Sequence, residues 1–152
     1  MGYMHIENLY RNQDILMFKE CFCLEKIHGS SASISFKDNN LRFFSGGESH
    51  DNFLKLFNQD FLIKKFTEIG QSDITVFGEV YGGKCQGMRE TYGEKIKFVA
   101  FDVQINDCWL DVLKAEALVK SLELEFVDYV KIPTTLEAID TERDKHSIQA
   151  IR

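Results

Sequence analysis

The sequence has no long apolar run and no secretory leader, and each absence excludes a class of protein. None of its apolar stretches is long enough to span a bilayer, and the start around Tyr3 and His5 does not have the form of a signal peptide. Internal repeats and low-complexity tracts are also absent. We therefore expect a protein that is not secreted, is not built from repeats and makes no use of a membrane.

The spacing of the cysteines excludes the common cysteine-based sites. The four cysteines are Cys21, Cys23, Cys85 and Cys108, and no two of them form a Cys-x-x-Cys pair. We expect reduced, mostly buried thiols, as in a cytosol-like compartment. Cys21 and Cys23 would share one face of a strand, but a metal site there would need two more ligands that the sequence does not indicate.

Positive charge is also in short supply, since the formal net charge is −6. This balance argues against a large nonspecific grip on a phosphate backbone by the chain as a whole, although it leaves room for a local basic cleft. No glycine-rich loop ends in Gly-Lys-Ser or Gly-Lys-Thr, so a P-loop phosphotransferase is disfavoured.

The residues that are present describe one globular domain. The chain has 152 residues, is 44% hydrophobic and contains 13 phenylalanines, enough for a sizeable core. After a polar lead-in over 3–20, apolar periodicity predicts strands, the first three forming an antiparallel meander, and helices. The predicted strands are 18–26, 31–37, 41–44, 74–81, 95–104 and 126–132; the helical segments are 50–70, 110–122 and a last one from Pro133 onward, with a loop at 82–94.

Details within these segments carry further predictions. Phe53, Phe57 and Phe61 recur at helical spacing, which favours packing against the sheet. Ser49 or Asp51 would cap that helix and Gly70 would end it, while Thr134 or Thr135 would open the last one. Gly78 inside a strand indicates close approach of another group.

The chain is organised around Lys26, which follows an apolar strand and precedes Gly29 by three residues. A strand ending in a lysine and turning on a glycine holds an amine at the rim of a sheet, where we expect it to be half buried. The free amine of an ordinary lysine costs roughly 4–5 kcal/mol at pH 7, and burial or neighbouring cations lower that cost. The alternative is a surface lysine at the end of a hairpin.

Further along, the chain adds groups that would suit a nucleotide. Arg42 precedes a Ser-Gly pair, Glu79 lies in a Phe-Gly-Glu strand, and Phe101-Asp102 lies in an apolar strand. Together with Lys26 they supply a cation, an acceptor for ribose hydroxyls, an aromatic platform and a nucleophile. These are the groups that binding and attacking a nucleotide would require.

Each of these residues also has an ordinary structural interpretation. Phe101 alone is typical of a core aromatic, and Glu79 alone of a solvated strand residue. His28 alone suits a turn, and Asp102 could cap or pair with Lys97. The combination and its order distinguish the two interpretations.

The combination resembles the covalent nucleotidyltransferases, and most closely the RNA ligase branch with phage double-strand-sealing and RNA-editing ligases. Residues 25–29 read Glu-Lys-Ile-His-Gly, similar to the nucleotidyl-lysine motif of that branch. Residues 76–79, Val-Phe-Gly-Glu, and 98–103, Phe-Val-Ala-Phe-Asp-Val, resemble its third motif and its adenine-stacking strand. DNA ligases and capping enzymes usually carry Asp where this chain has His28.

The resemblance implies an activity and a fold. Lys26 would attack the α-phosphorus of ATP and keep AMP, which would pass to a 5′-phosphate RNA end before a 3′-OH seals the strand, with Mg²⁺ assisting. The fold would be α+β: a nucleotidyltransferase (ATP-grasp-like) domain of antiparallel sheets flanked by helices. The protein would act in the cytoplasm, or wherever a phage or viral enzyme acts.

The resemblance also implies binding roles. Glu25 and the backbone of Ile27 would read the adenine edge, Phe101 would stack under the base, and Glu79 would accept from the ribose. Arg42 would meet phosphate. These roles follow from the family's motifs.

The remaining roles concern catalysis and one departure. His28 and Asp102 would support catalysis, Asp102 by orienting the lysine or a metal-bound water. Ser31 would contact the nucleotide where relatives often carry Asn.

Two further departures qualify the resemblance. The family places its arginine directly before the Ser/Thr-Gly pair, whereas Phe44 stands there and Arg42 lies two residues earlier, on the same strand face. The family's later acidic and two-lysine motifs do not occur within 1–152, so we expect a partial adenylyltransferase domain, incomplete at the C-terminus. A non-catalytic nucleotide-binding module, a DNA ligase and a capping nucleotidyltransferase are the alternatives, and metal ligands and oligomeric state stay open.

Overall fold

The computed structural model describes residues 2–151 as two antiparallel sheets with helices packed on them. The strands are β1 (Glu20–Leu24), β2 (Ser30–Lys37), β3 (Asn40–Ser45), β4 (Asp73–Tyr81), β5 (Lys97–Ile105), β6 (Cys108–Trp109) and β7 (Tyr129–Pro133). The helices are α1 (His50–Leu54), α2 (Gln59–Ile69), α3 (Arg89–Tyr92), α4 (Val112–Ser121) and α5 (Leu136–Arg143), with 3-10 turns at Asp14–Met17 and Cys85–Gly87. The α+β expectation is confirmed.

The larger sheet has five strands in the order β3-β2-β4-β5-β6. Residues directly opposite each other in an antiparallel sheet share a face, so Ile34, Val76 and Val103 form one row on the core side. All three are fully buried, and Phe53 of α1 and Phe66 of α2 belong to the same core cluster. The other face carries the polar residues discussed below.

The smaller sheet pairs β1 with β7, with Cys21 opposite Ile132. This pairing corrects the predicted three-strand meander, because β1 leaves the hairpin that β2 and β3 form by themselves. Alternation identifies a strand but does not identify its partner, and here the partner lies at the far end of the chain. Asp38 and Asn39 make the hairpin turn with positive φ, at the predicted position.

The predicted helix over 50–70 is two helices. Ser49 caps α1 by accepting from the backbone N–H of Asn52, and Asn58 caps α2 by accepting from that of Phe61. Asn58 therefore starts a second helix inside the apolar pattern. Gly70 ends α2 with a left-handed φ of 76°.

The aromatic residues of this region pack as expected. Phe53 is buried, and Phe57 and Phe61 lie against the core. Phe57 also stacks on Phe43 of β3, with ring centroids 5.3 Å apart. A continuous apolar face survives the break between the helices because both helices cover the same side of the sheet.

The remaining differences lie near the end of the chain and in the 82–94 loop. Thr135 caps α5, which ends at Arg143, so the helix predicted from Pro133 onward does not continue through the residues that follow. Within 82–94 the chain forms the short 3-10 turn and α3. A Cβ at Gly78 would lie 2.2 Å from the carbonyl oxygen of Val99, so the predicted close approach is confirmed.

Across the described part of the chain, residues 2–151, the helices are too short or too polar to cross a membrane. The four cysteines are free, but only Cys85 is buried and Cys108 is exposed, so the expectation of mostly buried thiols is not met. Cys21 and Cys23 are half buried, and alternate residues of β1 share a face as predicted.

Candidate functional site

The lysine loop, residues 25–29, connects β1 of the small sheet to β2 of the large one. The side chain of Ile27 is 4% exposed and fixes the middle of the loop in the core, whereas Lys26 and His28 are exposed. Lys26 is therefore exposed, and the half-buried amine expected from the sequence is not observed. Because Ile27 points inward, its two neighbours in an extended loop point outward.

Three hydrogen bonds attach this loop to the rest of the molecule. Gly29 donates its backbone N–H to Oε1 of Glu79 at 3.2 Å, and His28 donates its own to the hydroxyl of Tyr92 at 3.2 Å. The N–H of Glu25 donates to the carbonyl of Asp128 at 2.9 Å. The loop is thus tied to both sheets and to α3.

Gly29 is required by space. A Cβ at this position would lie 2.1 Å from the carbonyl oxygen of Val80 and 3.0 Å from Cγ of Glu79. Both neighbours belong to β4, and the carbonyl is backbone that does not move aside. The glycine therefore permits the loop to contact β4 and to present Lys26 beside it.

Glu79 is the half-buried acid of the site. Burial raises the pKa of its carboxyl group, while the Gly29 N–H and the nearby charges of Lys26 and His28 lower it. Because Gly29 bonds to Glu79, the lysine loop that carries Lys26 and His28 lies against this acid. Ser31, opposite Glu79 on β2, is exposed on the same face.

Phe101 and Asp102 lie at a bulge, where β5 has one residue more than β4 opposite Phe77. Phe101 is half buried and packs against the core. Its ring meets the edge of Tyr3 at a centroid distance of 4.8 Å. Trp109 and Phe77 complete this aromatic cluster around Tyr3.

Tyr3 also fixes Asp102. Its hydroxyl donates to Oδ2 of Asp102 at 2.6 Å, and the N–H of Val103 donates to Oδ1 at 2.9 Å. Burial raises the pKa of Asp102, and these two hydrogen bonds lower it. Sequence reasoning assigned Tyr3 to a polar lead-in and missed it, since no local pattern indicates this long-range contact.

Arg42 lies away from this group. It is exposed on β3, opposite Ser35 of β2. Gly46 donates its N–H to the carbonyl of Ser31, which lies opposite Glu79, so Gly46 is level with Glu79 across the sheet. Four residues along a strand separate Arg42 from that level by roughly 13 Å. The structure therefore brings Lys26, His28 and Glu79 together, but not Arg42.

Glu25, beside the lysine, is held by residues near the end of the described chain. The hydroxyl of Ser147 donates to its Oε1, and the N–H of Ile148 donates to its Oε2 at 3.0 Å. Gln149 accepts from the hydroxyl of Tyr81 at 2.7 Å. No local pattern in the sequence indicates these contacts, because they join residues more than sixty positions apart.

The side chains of the site differ in how well they suit a nucleotide and a metal ion. The exposed amine of Lys26 and the half-buried carboxylate of Glu79 suit a phosphate and a ribose. No group of three or more His, Cys, Asp or Glu within residues 2–151 is arranged to hold a metal ion. A Mg²⁺ ion with few protein ligands keeps waters and uses substrate phosphates, so this set of residues fits a metal only together with a nucleotide.

Comparison with solved structures shows the fold to be that of RNA ligases. An apo mutant of Naegleria gruberi RNA ligase matches with a TM-score of 0.70 and 18% identity, over 93% of this chain and 46% of that one. A mutant of that enzyme with ATP and Mn matches at 0.68 and 16% over 85% and 42%, and one with AMP and Mn at 0.66 and 16% over 88% and 42%. At these identities the likeness concerns the fold.

The chain spans less than half the length of these solved ligases. No curated protein matches it significantly. The family model described as RNA ligase matches residues 19–150, which includes β1, the lysine loop, both sheets and α5. The resemblance read from the sequence is thereby confirmed at the level of the family: this chain belongs to the RNA ligase family.

Proposed function

We propose that this chain carries the nucleotide-transferring part of an ATP-dependent RNA ligase, with Lys26 as the nucleophile. The observation that carries the proposal is the hydrogen bond from Gly29 to Glu79, which places the lysine loop against a half-buried acid. An amine beside an acceptor for ribose hydroxyls is the arrangement that attack on a bound nucleotide needs.

In the first step, Nζ of Lys26 loses a proton to solvent and attacks the α-phosphorus of ATP. A phosphorus–nitrogen bond forms, the bond to the bridging oxygen breaks, and pyrophosphate leaves. The exposure of Lys26 gives the amine access to water and to an incoming triphosphate. Separating this chemistry from sealing divides one difficult reaction into easier ones.

In the later steps the AMP passes to the 5′-phosphate of an RNA end, and a 3′-OH then attacks that phosphate and releases AMP. RNA ends are therefore the proposed partners. Bound Mg²⁺ supplies neutralisation of phosphate charge.

Base and ribose contacts are proposed for the residues around the loop. Glu25 and the backbone of Ile27 read the adenine edge, and Phe101 stacks on the base. Glu79 and Ser31, opposite each other on neighbouring strands, face the ribose. These assignments stand on the family's motifs together with the positions of the residues.

The remaining roles concern charge and proton handling. His28 and Asp102 support the reaction, and Arg42 meets phosphate from the edge strand β3. Arg42 can do so only for an extended ligand, because it lies far along the sheet from Glu79.

A nucleotide-binding module without turnover is the second candidate. It is favoured by the exposure of Lys26, since burial is one of the means by which a lysine becomes a nucleophile. Such a module would bind adenosine nucleotides and form no covalent product.

The deciding experiment is intact-protein mass spectrometry after incubation with ATP or GTP and a divalent metal. We expect a mass gain of one AMP with ATP, none for Lys26→Ala, and full labelling of Lys64→Ala, an exposed lysine on α2. A gain of GMP would favour a capping enzyme, and no adduct would favour the binding module. An undiminished adduct in Lys26→Ala would overturn the nucleophile.

A further inference from the structure

We propose that residues 147–151, called here the tail segment, form a latch on Glu25 that excludes the base of the nucleotide until it is displaced. This inference rests on the proposed function, because it concerns the carboxylate that would read adenine. It begins from the two hydrogen bonds that the tail segment donates to that carboxylate.

The carboxylate of Glu25 would accept hydrogen bonds from the tail segment and from an adenine edge in the same way. An ionised carboxylate only accepts hydrogen bonds, and an adenine edge would offer it an amino group. The tail segment offers the same kind of donor, since the hydroxyl of Ser147 bonds one oxygen of Glu25 and the N–H of Ile148 bonds the other. Both oxygens are engaged, so the tail segment and the base compete for one carboxylate.

The tail segment crosses the molecule from Glu25 to α3. Gln149 accepts from the hydroxyl of Tyr81 at the end of β4, and the N–H of Ile151 donates to the carbonyl of Thr91 in α3 at 2.8 Å. The segment therefore joins Glu25 beside the small sheet, the large sheet and α3. Because Tyr92 of α3 also accepts from the loop residue His28, the same helix contacts both latch and lysine loop.

The tail segment is weakly attached to the rest of the molecule. Ile148 is 66% exposed and Ile151 is 53% exposed, so the segment buries little apolar surface. Its attachment depends on hydrogen bonds, which a ligand or water can replace at small net cost. A latch held in this way closes over the empty site and opens when a competing donor arrives.

The latch would lower the apparent affinity for nucleotide. If the open form is a minor population, the apparent affinity for nucleotide is reduced by the fraction that is open. Removing side-chain hydrogen bonds of the tail segment, while leaving Glu25 intact, therefore tightens nucleotide binding. A tail segment that instead positioned Glu25 for the base would weaken binding when altered.

The test compares AMP binding by calorimetry in the whole chain and in the double variant Ser147→Ala/Gln149→Ala. Ser121→Ala, at an exposed serine that ends α4, is the matched control. We expect the double variant to bind AMP about three- to tenfold more tightly, and the control to bind as the parent chain does. Thermal unfolding of all three proteins checks that each is folded.

Hydrogen exchange gives a second measurement in the unaltered chain. We expect the amide of Ile148 to exchange faster at saturating AMP, because the latch has left Glu25. Unchanged or weaker AMP binding by the double variant, or slower exchange at Ile148 with AMP, overturns the latch. Tighter AMP binding by the double variant, with no Lys26 adduct after incubation with ATP, would support the latch and overturn only the covalent chemistry. The two failures are therefore distinguishable.

Discussion

Gly29 and Glu79 are joined by a hydrogen bond of 3.2 Å between the backbone N–H of one and Oε1 of the other, although fifty positions separate them. This bond connects a loop that follows the small sheet to a central strand of the large sheet. The relative position of Lys26 and the acid therefore depends on the shape of one backbone turn.

The first prediction concerns that turn. Gly29→Ala should lower stability by about 1–3 kcal/mol, because the new Cβ would meet the carbonyl of Val80 and the loop must shift. It should also abolish the AMP adduct. Gly46→Ala is the stability control, since its Cβ would lie 3.4 Å from the nearest atom, the carbonyl of Ser31. Equal unfolding free energies in denaturant for the two variants would contradict the steric argument.

The second prediction concerns the nucleophile. Lys26→Arg should form no AMP adduct, because the guanidinium group stays protonated at any accessible pH and cannot supply a free electron pair. Since Lys26 is exposed, the variant should unfold at the same temperature as the parent chain. Mass spectrometry and thermal unfolding together check this, and labelling of Lys26→Arg would refute the assignment.

The third prediction concerns the proposed base platform. Phe101→Ala should weaken ATP binding by about 1–3 kcal/mol, because stacking on the ring is lost. Phe44→Ala is a matched control on the same sheet, because Phe44 is 41% exposed. Calorimetry well below the unfolding temperature measures both. Unchanged ATP affinity with stability lower by about 3–5 kcal/mol would assign Phe101 to the core alone.

The fourth prediction concerns pH and the pair Tyr3 and Asp102. Tyr3→Phe keeps the aromatic ring and removes the hydroxyl that donates to Asp102, a bond that lowers the pKa of that carboxyl group. The pKa of Asp102 should therefore rise further in the variant. At neutral pH we expect a loss of about 1 kcal/mol, since the variant removes one hydrogen bond to a half-buried carboxyl group.

The sign of the pH dependence follows from the same bond. The hydroxyl stabilises the ionised form, so its contribution is present above the pKa of Asp102 and is lost as the pH falls through it. The difference between Tyr3→Phe and the parent chain should shrink in acid. Unfolding free energies across this range measure it, with Tyr10→Phe, at a 77% exposed tyrosine, as the control. A difference independent of pH would contradict the role of the bond.

Local signals predicted much of the fold. The strand containing Glu79 and the strand containing Phe101 were found because their alternation and bounding polar residues are properties of nearby sequence. Gly70 ended its helix as expected, since few other residues adopt its φ without strain. The split at Asn58 was missed because its cap lies inside an uninterrupted apolar period.

The sequence did not predict the contacts between residues that lie far apart along the chain. The pairing of Cys21 with Ile132 and the bonds from Tyr3 to Asp102 and from Ser147 to Glu25 depend on the complete fold. The exposure of Lys26 belongs with these, because it results from the burial of Ile27. The lysine loop bonds to Glu79, whereas the roles of Lys26 and Glu79 remain proposals.

The pairing of β1 with β7 also has a consequence for synthesis and folding. β1 is made before the other strands described, but its partner is made only after nearly all of them, at about 5–20 residues per second. Closing so long a loop is entropically costly, and nonlocal pairings of this kind form late. We infer that a nascent chain cannot hold the lysine loop between the two sheets until β7 has been made.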